Sequence, residues 1–249
     1  MVELYRGRQS AFRIKTDLTL IAHEGKLISI IESPISPRAN SQNSVVILLA
    51  TAAWFGVLLQ LWLSLQLAQA NGKSAAMGLL VYLGFFTVLT NIFVALVLTL
   101  PLFARGTAIG RFFAHPQTMA CAATSIVLVG LGYHFLLRHI WNPQGLQWLA
   151  DMQLHYVVPV LYCLYWLIVV PKSGLPWWSP LLWCAYPMTY FAYALARGAV
   201  LDIYPYPFID VTAIGFGQAA RNAVGLLFAY VFVGAILLAL GKTIGARRH

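Results

Sequence analysis

The chain has 249 residues, of which 60% are hydrophobic and 9% charged; soluble domains hold roughly 45–50% apolar and 25% charged residues, so a water-soluble globular domain is excluded. Lys and Arg number 16 against 7 acidic residues, but these cations gather at the ends of apolar runs and form no stripe, which excludes nucleic acid as a partner and marks them as membrane-topology signals. The composition is that of an integral multi-pass membrane protein.

Residues 1–43 form a polar, basic tail carrying Arg6, Arg8, Arg13, Lys15, Lys26 and Arg38 and ending in the linker SPISPRANSQNS. Within it, DLTLIAHEGKLISII alternates weakly around Glu24-Gly25-Lys26, a pattern for a hairpin that is marginal on its own, and His23 reads as solvated. The start lacks a basic, apolar and small-residue signal-peptide pattern, so the first membrane segment is expected to act as an uncleaved insertion signal.

About 20 apolar residues cross the hydrocarbon core. Six stretches meet that length, at 45–69, 76–100, 117–137, 148–170, 179–200 and 221–240. The expected fold is all-α, a polytopic bundle of six transmembrane helices over 44–241, followed by a basic C-terminal tail at 242–249. With the N-terminus inside, twelve of the cations fall on the cytoplasmic side and Lys73, Arg138, Arg197 and Arg221 outside. The positive-inside rule favours that arrangement, with both termini cytoplasmic.

The second segment contains FFTVLTN, in which Thr87, Thr90 and Asn91 share one helix face. Such a face suits hydrogen bonds between helices, and it also suits catalysis. Cys121, Cys163 and Cys184 lie in apolar segments without ligand spacing, so neither a disulfide framework nor a zinc site is expected. His134 and His139 flank Arg138 at the end of the third segment. They can be joined with Asp151 or His155 into a metal site only on paper, because no tight ligand motif such as HExxH is present. No metal or other cofactor is expected.

The fourth segment opens with Asp151 and His155, one turn apart, and Pro159 follows four residues later. Proline frees the carbonyl of His155 and kinks the helix. A histidine with an ordinary pKa of about 6.5 is suited to act as a base near neutral pH, and Asp151 can orient its ring; hydrogen bonding within the bundle and pairing at the membrane surface are the plainer roles. Counted from their entry points, Thr87 lies roughly 16 Å deep and His155 roughly 10 Å. A hydroxyl and an imidazole at those depths are within reach of one another.

In the fifth segment Tyr186, Tyr190, Tyr193 and Arg197 follow helical spacing, and the loop YPYPFID comes after. This reads as an aromatic belt with a snorkelling arginine, or as a substrate-binding face in which Arg197 grips a carboxylate. Asn91, a tyrosine such as Tyr156 or Tyr190, and backbone groups freed near Pro159 are the candidate oxyanion donors. The prolines at 205 and 207 stiffen a loop able to cap the bundle mouth. No GxSxG elbow, Walker sequence or Rossmann glycine pattern is present.

With six spans, FFTVLTN, LHYVVP and a YPYPF loop after YALARG, residues 45–240 resemble the androgen-induced and androgen-dependent TFPI-regulating protein family, and its bacterial branch above all. The resemblance implies a transmembrane threonine hydrolase that cleaves fatty acid esters of hydroxy fatty acids, with lipid substrate met inside the bilayer and a bacterial cytoplasmic membrane as its location. In that family a threonine in a segment approximating FLTF is the nucleophile, and a histidine before a V-x-P stretch is its partner. His155 of LHYVVP matches the histidine. Thr87 fits the aromatic residues before the threonine, whereas Thr90 fits its spacing to the following polar residue; Thr87 is preferred and Thr90 second. The alternative is a non-enzymatic protein that binds lipid or transports a small solute.

Overall fold

A computed structural model of the protein describes residues 37–172 and 174–246, with side chains for 43–172 and 174–245. Most of the expected N-terminal tail, including its hairpin pattern and His23, lies outside the described residues, as do Arg247, Arg248 and His249. The described residues are helical, with no strand among them.

In chain order the elements are α1 (Pro37–Ala70), α2 (Ala75–Tyr82), α3 (Phe86–Phe103), α4 (Ala108–Ala114), α5 (Pro116–Gly132), α6 (Gly145–Met152) and α7 (Val158–Val169). After these come α8 (Ser179–Trp183), α9 (Ala185–Leu201), α10 (Val211–Ile214) and α11 (Phe216–Ala246). Two π-helical turns interrupt the regular ladder, Tyr133–Leu137 at the end of α5 and Gln153–Val157 between α6 and α7. Among the described residues, five stretches are long and apolar enough to cross a membrane: Asn43–Ala70, Phe86–Phe103, Pro116–Leu137, Gly145–Val169 and Phe216–Gly245.

Two of the six expected spans are divided. The stretch at 179–200 turns at Cys184, between α8 and α9. The stretch at 76–100 breaks at Leu83–Phe85, so α3 begins afresh at Phe86, one residue before Thr87. Helix also extends beyond the expected edges of the membrane domain: the first helix includes the residues from Pro37 on, and α11 runs on to Ala246.

The core from Val45 onward forms around α3 and α5. Ala120, Ala122, Ala123, Thr124 and Ser125 of α5 are all fully buried, and small residues of this kind let helix backbones approach closely in a membrane bundle. Helix α5 packs on α3, α7 and α11. The outward faces are apolar: Phe103, Val200, Phe228 and Phe135 are among the most exposed side chains, as expected where lipid replaces water as solvent.

Candidate active site around Thr87

A glycine and a row of polar side chains on α9 produce the break before α3. Freed carbonyls at the end of α2 find donors there: the hydroxyl of Tyr190 donates to Gly84 O at 2.9 Å, that of Tyr193 to Leu83 O at 3.3 Å, and Arg197 Nε to Leu80 O at 3.2 Å. A Cβ on Gly84 would sit 2.8 Å from Arg197 Cζ, so only glycine admits the guanidinium here. Backbone groups left open inside a bilayer are costly, and the periodic face at 190, 193 and 197 is what satisfies them. Arg197 Nη1 also donates to Ile203 O at 2.9 Å. Nε and Nη1 are thus directed at backbone, whereas Nη2 is buried with no hydrogen-bond partner among the described residues.

Thr87 therefore stands in the first turn of a new helix, where amides have no helical carbonyl ahead of them. Its N–H donates to the Tyr206 hydroxyl oxygen at 3.3 Å, and its Oγ1 lies 3.4 Å from the same oxygen. Tyr206 comes from the YPYPF loop. That loop is seated by a Tyr206–Phe208 stack, an edge-on contact of Tyr206 with Phe85, and Asn222 of α11, whose side chain donates to Phe208 O. Burial holds the Tyr206 phenol above its ordinary pKa, so the hydroxyl keeps its proton near neutral pH.

Thr87 lines a cavity of about 310 Å³, together with Phe86, Tyr133, Tyr190 and Tyr206 and apolar residues of α5, α9 and α11. That volume is at the small end of ligand pockets, which run from about 300 to 1,000 Å³. Leu136, Met188 and Val224 line the cavity and are each about half exposed, so the cavity opens at the surface of the bundle. Thr90 does not line it. That side chain is fully buried, with its hydroxyl 3.2 Å from that of Tyr186.

His155 lies in the π-helical turn just before Pro159. Its Nδ1 is 3.0 Å from Asp151 O and 3.3 Å from Asp151 Oδ1. With both neighbours acceptors, the proton sits on Nδ1 and Nε2 is the basic nitrogen of the neutral ring. Nε2 has no protein hydrogen bond among the described residues. Tyr133 stacks on the imidazole with centroids 4.0 Å apart, and Gly130 brings α5 so close that a Cβ there would lie 3.1 Å from the carbonyl that Pro159 frees.

No hydrogen bond joins Thr87 to His155 among the described residues, and His155 does not line the cavity. Two residues bridge them. Asn91 donates from Nδ2 to Thr87 O at 2.8 Å and to Leu154 O at 3.1 Å, tying α3 to the histidine turn, while its buried Oδ1 has no partner among the described residues. Tyr133 presents its ring to both the cavity and the imidazole. Tyr156 is turned elsewhere, with its hydroxyl 3.2 Å from His134 Nδ1.

Tyr206 and Tyr133 escaped the sequence reading as individual site residues. Tyr206 was legible only as part of a loop, and Tyr133 precedes the histidines at 134 and 139 with no signal of its own. His134 and His139 both pair with Arg138, and no group of three or more His, Cys, Asp or Glu assembles among the described residues. The three cysteines are free thiols. No family model, no curated protein and no solved structure matches this chain, and the resemblance drawn above rests on its motif residues alone.

Proposed function

We propose that the protein is a membrane-embedded hydrolase of fatty-acyl esters, with Thr87 as nucleophile and His155 as base. The observation that carries this reading is the setting of Thr87: a hydroxyl at the start of a buried helix, facing an apolar cavity that opens at the surface of the bundle. Lateral access of that kind suits a substrate already dissolved in the bilayer. It suits a solute carried between two aqueous phases poorly.

In this mechanism an acyl chain lies in the cavity with its ester carbonyl at Thr87 Oγ1. Nε2 of His155 accepts the hydroxyl proton as Oγ1 attacks, and the alkoxide leaves with that proton. Water then cleaves the acyl-threonine. Catalytic hydrogen bonds are often long before substrate binds, so His155 and Thr87 close up only in the substrate complex, with Asp151 fixing the tautomer and Asn91 holding the two turns in register. The cavity favours Thr87 over Thr90 as nucleophile.

The same reading takes α8 and α9 together as a sixth crossing, completing six spans with both termini cytoplasmic, in a bacterial cytoplasmic membrane. A second reading, lipid binding without chemistry, draws on the missing Thr87–His155 hydrogen bond. Purified protein in micelles, given a panel of fatty-acyl esters beside a His155→Ala control of equal unfolding temperature, separates the two. Turnover that His155→Ala abolishes supports the hydrolase; no turnover of any ester, with saturable lipid binding retained, supports the binding protein.

A further inference from the structure

We propose that Tyr206 is a catalytic residue of this site, donating the hydrogen bond that holds the oxyanion when Thr87 attacks an ester. The proposal rests on the reading of Thr87 as nucleophile. Of the hydroxyls that line the cavity, the one on Tyr206 is within 3.4 Å of Thr87 Oγ1. Tyr190 spends its proton on Gly84 O, and Tyr156 faces His134.

The phenol is also oriented for donation. Its oxygen already accepts the Thr87 N–H, at a helix start where the partial charge is positive. An acceptor polarised by such a donor is a stronger donor in turn. The ring is only 8% exposed and is clamped between Phe208 and Phe85, so the hydroxyl needs no costly reorganisation, the property that makes an oxyanion donor effective.

When Oγ1 bonds to the carbonyl carbon, the C=O π pair moves onto the carbonyl oxygen and the threonine proton passes to His155 Nε2. The carbonyl oxygen and Oγ1 then share one carbon, so a donor beside Oγ1 reaches the oxyanion by a small shift. Tyr206 keeps its proton throughout. Collapse returns the electron pair to C=O and expels the alkoxide, which takes the proton from His155.

The test compares an oxygen ester with its thionoester, in which sulfur replaces the carbonyl oxygen and accepts hydrogen bonds weakly. Tyr206→Phe keeps the ring and removes only the hydroxyl. For the oxygen ester, kcat is expected to fall about 10²–10³-fold with little change in KM, whereas the already slow thionoester should lose far less. Equal losses on both substrates would assign Tyr206 a structural role and overturn the proposal, as would a Tyr206→Phe rate within about three-fold of wild type.

A parallel Thr87→Ala arm tells the two levels apart. An inactive Thr87→Ala beside a fully active Tyr206→Phe removes Tyr206 alone, whereas an active Thr87→Ala removes the nucleophile and this proposal with it. If Tyr206→Phe fails to fold, the wild type still decides. A thionoester hydrolysed as readily as the oxygen ester, after correction for their reactivities in hydroxide, overturns the oxyanion role.

Discussion

Helices α3 and α5 each carry buried hydroxyls, but the two sets live in different surroundings. Along α5, Ser125 Oγ donates to Cys121 O at 2.8 Å and lies 3.0 Å from the Tyr230 hydroxyl; nearer its start, Gln117 donates to Ser179 Oγ at 3.0 Å and accepts from Trp183 Nε1 at 2.8 Å. None of these side chains borders the cavity. At the start of α3, Thr87 has one long contact to a tyrosine and open space beside it. A hydroxyl inside a membrane bundle is thus glue when its partners close around it and a candidate reagent when a cavity takes the place of one of them.

Substitutions can break that contrast. The largest effect is expected at Thr87. Thr87→Ala should lower ester hydrolysis by about 10³-fold or more, and the loss of one hydrogen bond should change stability by only about 1 kcal/mol. His155→Gln should follow with a loss of about 10²–10⁴-fold, the usual span for a general base. Both are read by steady-state kinetics on protein whose unfolding temperature is checked in the same micelle.

Gly84→Ala tests the break itself. The new methyl would press on the Arg197 guanidinium, with an expected destabilisation of about 1–3 kcal/mol for overpacking and a parallel loss of activity as α3 shifts. On the α5 side, Ser125→Ala should lower stability by about 1 kcal/mol and leave hydrolysis unchanged. A Ser125→Ala protein that loses activity while keeping its unfolding temperature would erase the distinction between glue and reagent.

The smallest effect concerns Asp210, whose carboxylate accepts from the Thr212 hydroxyl and from the Thr212 and Ala213 amides at the start of α10. The Thr212 hydrogen bond, more than the others, lowers its pKa. A depressed folded-state value means that its contribution is complete above the ordinary carboxylate value of about 3.9 and fades as pH falls through the folded value. Asp210→Asn should therefore lower the unfolding temperature slightly at neutral pH, with the difference from wild type vanishing at low pH and the acid limb flattened accordingly.

Much of the bundle was readable because lipid imposes long apolar runs, and 45–69, 117–137, 148–170 and 221–240 all have helical counterparts of membrane length. The break before Thr87 was not. Leu79 to Phe103 is continuously apolar apart from Gly84 and a few hydroxyl and amide groups, and a lone glycine does not announce the end of a helix; the break depends on donors from α9, over a hundred residues away, reaching the carbonyls of Leu80, Leu83 and Gly84. The neighbourhood of Asp151 and His155 followed from spacing, since i and i+4 share a face in any helix. Choosing between Thr87 and Thr90 needed the cavity, because both are on the same face of α3 and only the space beside Thr87 separates them. Arg197 has a use that its place at the end of a tyrosine face did not reveal: Nε and Nη1 hold the backbone carbonyls of Leu80 and Ile203.

The central claim is that Thr87 is the nucleophile, and covalent capture tests it most directly. Purified protein treated with a lipophilic fluorophosphonate and digested for mass spectrometry should carry the phosphonyl adduct on the peptide containing Thr87, with labelling lost in Thr87→Ala and kept in Thr90→Ala. An adduct on Thr90, or labelling that survives Thr87→Ala undiminished, would contradict it.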